Sequence, residues 1–290
     1  MTTVSDLVDI TREHLYGTQS GQFNFLTSTV DIDDTAVTFD MTAGGIVAGA
    51  VIGVDDEIMY VKSVSGQTAT VHRDWAGTAA AHTAGAIIEV SPRFPRHAIK
   101  QALKEEIASW PDTLFQTPTP ITLTGSTTTR AYNLTALGSF YDILNVVREP
   151  YSGSTAWVPV DFRVDRNMPT ASFASGKALF LTHELAEGVD IRVTYSAPFT
   201  VSTFASATDV ETAVGLSSSM LDIPPYGAAW RLLAPREIKR TFTESQPEPR
   251  LSEEVPAGAA LRTAAGMKAL RDQRIVEEGN RLAATRTIRF

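Results

Sequence analysis

The sequence predicts an α+β multidomain fold: a discontinuous helical bundle with an inserted small β-barrel-like module and a β-sandwich, plus a long C-terminal helical arm. Three observations carry this. Apolar stripes of helical period occur at 3–16, 95–110, 208–222 and 225–237, with two long stretches of strand period between the first three. Gly and Asp punctuate those intervening stretches at the spacing of short antiparallel strands. Charge is also divided unevenly. Residues 226–290 hold twelve Arg and Lys against eight Asp and Glu, or +4, which leaves −12 on the remainder of a chain of net charge −8.

The first helix is expected at Thr3–Tyr16, where Val4, Leu7, Val8, Thr11 and Leu15 form one stripe. Thr3 or Ser5 can cap its start and Asp6 and Asp9 lie near its positive end. Residues 20–91 then read as the inserted β module, with a hairpin turn at Ser65-Gly66-Gln67 between Met59–Val64 and Thr68–His72. Pro95 opens the next helix, whose stripe is Ile99, Leu103 and Ile107, and Pro111 stops it. Residues 118–203 read as the β-sandwich, and Asp190–Tyr195 alternates polar and apolar residues strictly. Thr208-Asp209-Val210-Glu211 has the form of a capping box and starts the helix expected to Asp222. Pro224-Pro225 starts the one after it. The resulting division is 1–19, 92–117 and 204–241 for the bundle, 20–91 for the module and 118–203 for the sandwich. A Pro- and Glu-rich linker follows at 242–257, and the arm occupies 258–290. The arm's apolar positions, Leu261, Ala264, Ala265, Leu270, Ile275 and Leu282, make a thin stripe. It suits close packing on a neighbour better than a core of its own.

Composition narrows the function. At 290 residues the chain exceeds the usual single domain, and 43% hydrophobic residues suffice for real cores. With no cysteine it has neither a disulfide frame nor a thiolate metal site. The first ten residues lack the features of a signal peptide, and no stretch approaches the roughly 20 apolar residues of a membrane span. The acidic balance disfavours broad wrapping of nucleic acid, while the basic tail is suited to local phosphate contacts.

Four constellations invite a chemical reading. Asp33-Asp34 with Asp55-Asp56-Glu57 resembles a cation site, but no calcium-loop spacing is present and such pairs are ordinary in turns. His72-Arg73-Asp74-Trp75 with His82 contains acid–base groups. It has no nucleophile on a recognisable elbow and no zinc spacing, and Trp75 is expected to bury as a cap on the barrel. Tyr151, Trp157 and Phe173 could stack on sugars, but large aromatics are more often core or interface residues. The basic series Arg236, Lys239, Arg240, Arg250, Arg262, Lys268, Arg271, Arg274, Arg281, Arg286 and Arg289 has no interleaved aromatics on the long helix. It reads as a solvated face or protein interface. No catalytic residue, cofactor or metal ligand is therefore assigned.

One stretch is more specific. Gly49-Ala50-Val51-Ile52-Gly53-Val54-Asp55-Asp56-Glu57-Ile58-Met59-Tyr60-Val61 is followed by Gly66-Gln67-Thr68-Ala69-Thr70-Val71-His72-Arg73. Then comes Gly77-Thr78-Ala79-Ala80-Ala81-His82-Thr83-Ala84-Gly85. This resembles a module of virion proteins of tailed phages, especially those of actinobacteria. That module often carries an arginine–glycine pair, then glycine–threonine, a short alanine run and histidine. Asp74 stands where the pattern has its first glycine. The whole chain is similar to head-to-tail adaptor (connector) proteins of long-tailed phages. The resemblance implies a virion neck protein, assembled in the host cytoplasm as a homo-oligomeric ring of twelve copies beneath the portal. The portal and the next neck or tail protein would be its partners. DNA would pass through the channel, with sequence-independent contacts and no membrane. It implies further that a C-terminal segment docks into the portal. The residues expected to do so are Arg286, Ile288, Arg289 and Phe290, with Leu261, Arg271, Arg274, Ile275 and Leu282 as the arm's interface. Two alternatives stand beside this. One is a peripheral tail or baseplate protein that binds host glycan through the sandwich, which exposed rings in a polar groove would favour. The other is a hydrolase, which two close carboxylates in a cleft would favour.

Overall fold

The computed structural model describes residues 2–16, 22–40, 45–243 and 259–286, with backbone only for 236–243, 259, 285 and 286. The protein is mixed α+β and divides into two compact units. One comprises Met1–Ser109, Thr203–Val210 and Met220–Arg274, and the other Trp110–Ser202, Glu211–Ser219 and Ile275–Phe290.

The first unit begins with α1 (Val4–Tyr16). Its start is a reciprocal box: the Thr3 amide donates to Asp6 Oδ2 (2.7 Å) and the Asp6 amide to Thr3 Oγ1 (3.2 Å). The amides of Val4 and Ser5, which have no partner within the helix, donate to the carbonyls of Thr208 and Ser206, each at 3.0 Å. Val4, Leu7, Val8 and Thr11 are the buried stripe. Strands β1 (Gln22–Phe25), β2 (Ala36–Thr38), β3 (Val51–Val54), β4 (Glu57–Ser65), β5 (Thr68–Ala76) and β6 (Ile87–Val90) form one antiparallel sheet in the order β1-β6-β3-β4-β5-β2, curled into a half-barrel. β4 and β5 make the hairpin expected across Gly66. The concave face is lined by Val37, Ile52, Val54, Met59, Val61, Val71 and Ile88. Each buried aliphatic side chain contributes about 1.5–3 kcal/mol relative to exposure.

Helix α2 (Arg96–Ala108) begins after Pro95 and ends before Pro111, as its sequence requires. Helix α3 (Ile223–Thr243) opens on Pro224 and Pro225, where the missing amide hydrogens cost no helical bond. Although far apart in sequence, α1, α2 and α3 pack against one another. Ion pairs tie the helices to the sheet, Arg12 to Glu89 at 2.7 Å and Lys100 to Asp56 at 2.6 Å. Helix α4 (Ala259–Arg286) runs unbroken through Gly266 and Gly279.

Residues 208–222 differ from expectation. They hold a five-residue π-turn, Val210–Val214, and a 3-10 turn, Ser218–Met220, in place of a helix. The Thr208 hydroxyl is spent backwards: it accepts from the Ala205 amide (3.1 Å) and donates to the Thr203 carbonyl (3.0 Å). Asp209 bridges to Thr3, and the Val210 amide donates to Thr2. The would-be cap serves the start of α1 instead.

The second unit contains β7 (Ile121–Thr124), β8 (Ala131–Asn133), β9 (Asp142–Arg148), β10 (Val158–Pro159), β11 (Phe162–Asp165), β12 (Ala178–Leu181) and β13 (Asp190–Ser196). They form a four-stranded sheet, β10-β9-β13-β7, and a three-stranded sheet, β11-β12-β8. Both sheets feed one core, with Ile143, Val146, Ile191 and Val193 from the first and Tyr132, Leu179 and Leu181 from the second. The alternation of β13 places Ile191, Val193 and Tyr195 inside, with a register shift between Thr194 and Tyr195.

Candidate functional site

The acidic turn and the His-Arg pair, read separately in the sequence, form one buried charge network. Arg73 lies on the inward face of β5, and Glu57 opens β4 beside it. The guanidinium grips the carboxylate with two bonds, Nε to Oε1 (2.6 Å) and Nη2 to Oε2 (2.7 Å). Its remaining hydrogens reach the carbonyls of Asp31 (2.8 Å), Asp34 (3.0 Å) and Ala80 (2.6 Å). His82 is buried and stands between two carboxylates, Nδ1 at 2.9 Å from Asp55 and Nε2 at 2.9 Å from Glu57. Both ring nitrogens face acceptors, so both can donate only in the imidazolium form. The hydrogen bond to Asp55 and, against burial, the one to Glu57 raise the pKa of His82. The bond from His82 lowers that of Asp55. Burial opposes the Glu57 carboxylate, but bonds from Arg73, His82 and the Ala80 amide outweigh it and lower its pKa.

This network joins the loop 31–34, the turn before β4 and the alanine loop 79–82. His82 also pairs backbone to backbone with Val30 at 2.9 and 2.8 Å. Gly77 is fixed by closeness: at φ 89° it lies where an added Cβ would overlap the Asp56 carbonyl oxygen. Asp74 occupies the left-handed region, φ 55°, and its carboxylate receives the Ala79 amide. That local bond is what lets an aspartate hold a conformation otherwise suited to glycine. Among the described residues, no group of three or more His, Asp and Glu has a geometry that could hold a metal ion.

Trp75 overturns an expectation. It does not cap the barrel but is 57% exposed. β5 carries two extra residues between its pairings Tyr60–His72 and Ile58–Ala76, and the left-handed Asp74 lies among them. Trp75 lies within this bulge, between the paired residues, so its side chain is released from the strand's alternation and turns outward. Its ring lies 5.1 Å from Tyr60 and 6.1 Å from His72.

In the first unit a second buried charge holds α4. Glu106, on the apolar stripe of α2, is wholly buried. Arg231 of α3 donates to its Oε2 (2.8 Å) and Arg271 of α4 to its Oε1 (2.6 Å). Arg274 pairs with Asp222 at 2.7 Å, and Lys268 lies 5.4 Å from the Trp230 ring centre. In the second unit Ile275 and Leu282 are buried, and Arg281 pairs with Glu278 at 2.6 Å. Of the five residues expected at the arm's interface, four are thus buried or ion-paired within this chain, and Leu261 is 54% exposed. Ile288, Arg289 and Phe290 lie outside the described residues, as does the side chain of Arg286. Arg250 and the side chains of Arg236, Lys239 and Arg240 also lie outside them. No ring contact joins Tyr151, Trp157 and Phe173. Trp157 is covered by Arg192 at 4.0 Å, and Tyr151 is exposed.

Sequence reasoning missed Glu106, although the signal was present: a carboxylate falls on the i, i+3 positions of the stripe Ile99, Leu103. No family model matches the chain, and no curated protein matches it. No helix among the described residues is long and apolar enough to cross a membrane.

Proposed function

We propose that this chain is a structural, non-enzymatic ring subunit of a phage neck: a head-to-tail connector that joins the portal to the tail and lets DNA pass through a central channel. In this reading α1, α2 and α3 are the discontinuous helical bundle. Residues 20–91 are the inserted β-barrel-like module and 118–203 the β-sandwich. The C-terminal arm reaches the portal. The observation that carries the reading is the stretch 49–85. The arginine and histidine of its pattern, Arg73 and His82, are the two residues that close three loops around Glu57. Asp74 sits in the left-handed position where the pattern has glycine. The pattern therefore corresponds to a physical device that the chain possesses. Arg271, Arg274 and Arg281 of α4 already pair with acids of this chain, which counts against their serving as phosphate contacts.

The test is co-sedimentation with purified portal rings at moderate salt. The full chain is expected to pellet with the rings. A chain lacking Thr285–Phe290 is expected to keep its circular-dichroism spectrum and melting temperature but stay in the supernatant. Undiminished pelleting of the truncated chain would exclude docking through the arm's end.

A further inference from the structure

Two residues, Asp55 and Asp56, make the turn between β3 and β4, since Val54 pairs with Glu57. Each aspartate holds the turn to a different neighbour. Asp56 accepts from Lys100 Nζ of α2 (2.6 Å) and from the Ser206 hydroxyl. Asp55 lies in the left-handed region, φ 51°, and its carboxylate meets Nδ1 of His82 on the alanine loop. The other ring nitrogen meets Glu57. The imidazole thus spans two carboxylates that differ sharply in freedom. The Glu57 side chain is wholly buried, gripped twice by Arg73 and bonded by the Ala80 amide (3.2 Å). The Asp55 side chain is 69% exposed.

That difference decides what happens when the imidazole loses a proton. A neutral imidazole has one N–H and one lone pair, so it donates to only one carboxylate. The other carboxylate would then face the lone pair at 2.9 Å. Glu57 cannot withdraw without stranding the Arg73 guanidinium in the core. Asp55 can turn into water, which replaces the lost bond. Asp56 repels Asp55, and Arg96, the cation that attracts it, is engaged by Asp9 and Ser5. Arg73, itself beside Asp74 and Asp34, holds Glu57 in place. The proton therefore leaves Nδ1 for solvent, Nε2 keeps its hydrogen on Glu57, and Asp55 stays ionised. The bond to Asp55 and, against burial, the one to Glu57 place this loss above histidine's ordinary 6.5.

We propose that His82 and Asp55 form a pH-operated clasp: on deprotonation the imidazole lets go of Asp55, keeps Glu57, and frees the β3–β4 turn from the alanine loop. Asp56 still holds the turn to α2, and the Arg73–Glu57 pair still closes the loops, so the change is local and reversible. The clasp does not depend on the phage-neck reading.

The test follows the His82 side chain by NMR in the full chain, isotope-labelled in nitrogen, from about pH 5 to about 9. Its signal is assigned through its backbone resonances. Below the transition both ring nitrogens are expected to carry hydrogen, and above it Nε2 alone. Amides of residues 55–57 are compared with the free-chain exchange rate at each pH. Their protection is expected to fall several-fold across the same transition, while the β4–β5 hairpin keeps its own. Asp55→Asn is the control. Asparagine tolerates the left-handed backbone and its amide group can donate to the neutral imidazole, so its turn is expected to stay protected throughout. Hydrogen on Nδ1 above the transition, or an imidazole that stays doubly protonated over the whole range, would overturn the proposal. So would an asparagine variant whose turn loosens as the parent's does. The tautomer is read on the parent chain, so that outcome decides even if the variant fails to fold.

Discussion

Gly227 of α3 lies directly against the carboxyl group of Glu106 on α2: a Cβ built on the glycine would overlap the glutamate's carboxyl carbon. The contact closes the socket in which Arg231 and Arg271 meet. It also explains a glycine inside a helix, where alanine would be better by about 0.8–1 kcal/mol. Two effects oppose each other in Gly227→Ala. Helix propensity favours alanine, but displacing a buried, doubly paired carboxylate costs about 1–3 kcal/mol, as overpacking does. The variant is expected to be net destabilised, by up to about 2 kcal/mol. A urea-denaturation midpoint equal to or above that of the parent would refute the packing argument.

Arg271→Met tests the other side of the socket. It removes one of the guanidinium groups that pair with Glu106 and keeps that of Arg231. Breaking a buried pair costs about 3–5 kcal/mol when a charge is stranded, and Arg231 lowers that toward the bottom of the range. The first half of α4 is expected to loosen before the sheet does. Hydrogen exchange is expected to quicken at residues 264–275 while β4 and β5 stay protected. Uniform loss of protection across the unit would count against a local role.

The network around His82 predicts a pH dependence on each side of neutrality. His82 has a folded-state pKa above its ordinary 6.5, so its stabilising effect is full below that value and is lost as pH rises through the folded one. Asp55 and Glu57 are lowered from 3.8 and 4.5, so theirs is full above those values and is lost as pH falls through the folded ones. The network is therefore strongest between the two transitions, from about pH 5 to 6.5. Denaturation midpoints are expected to decline on the alkaline side of that window, and His82→Gln is expected to flatten that decline. A variant with the parent's alkaline slope would show that the ring contributes nothing.

Asp74 separates conformation from contact. Asp74→Gly removes the bond to Ala79 but relieves the left-handed backbone, and is expected to change stability by less than about 1 kcal/mol. Asp74→Val loses the bond and places a β-branched residue at φ 55°, for a cost of about 1–3 kcal/mol. Thermal melts that rank the two the other way would sink the bulge argument.

In the proposed docking of the arm's end, apolar burial is set against charge. One buried aromatic ring is worth roughly 1.5–3 kcal/mol and an exposed ion pair about 0–1. Phe290→Ala is expected to weaken co-sedimentation with portal rings more than Arg289→Ala does. Equal or reversed effects would point to an electrostatic attachment.

Local physics made much of the fold legible in the sequence. The helical stripes of α1 and α2, the prolines that bound α2, the Gly66 hairpin and the alternation of β13 each depend on neighbours within a few residues, and each was readable. The α+β class followed from those periods. Tertiary structure decided what depends on a distant partner. Thr208 lost its helix because the chain there caps α1, some 200 residues earlier. Trp75 turned outward because it falls inside a two-residue bulge, outside the ladder's pairings, which no alternation rule anticipates from one strand alone. In the sequence Asp55 and Glu57 read as an ordinary acidic turn, and Arg73 and His82 as a separate group. Folding made them one network, since a guanidinium leaves water only where a carboxylate and carbonyls replace it, and here they come from three segments of the chain. Glu106 is the same case among the helices: its carboxylate is tolerable in the core where α3 and α4 each bring it an arginine.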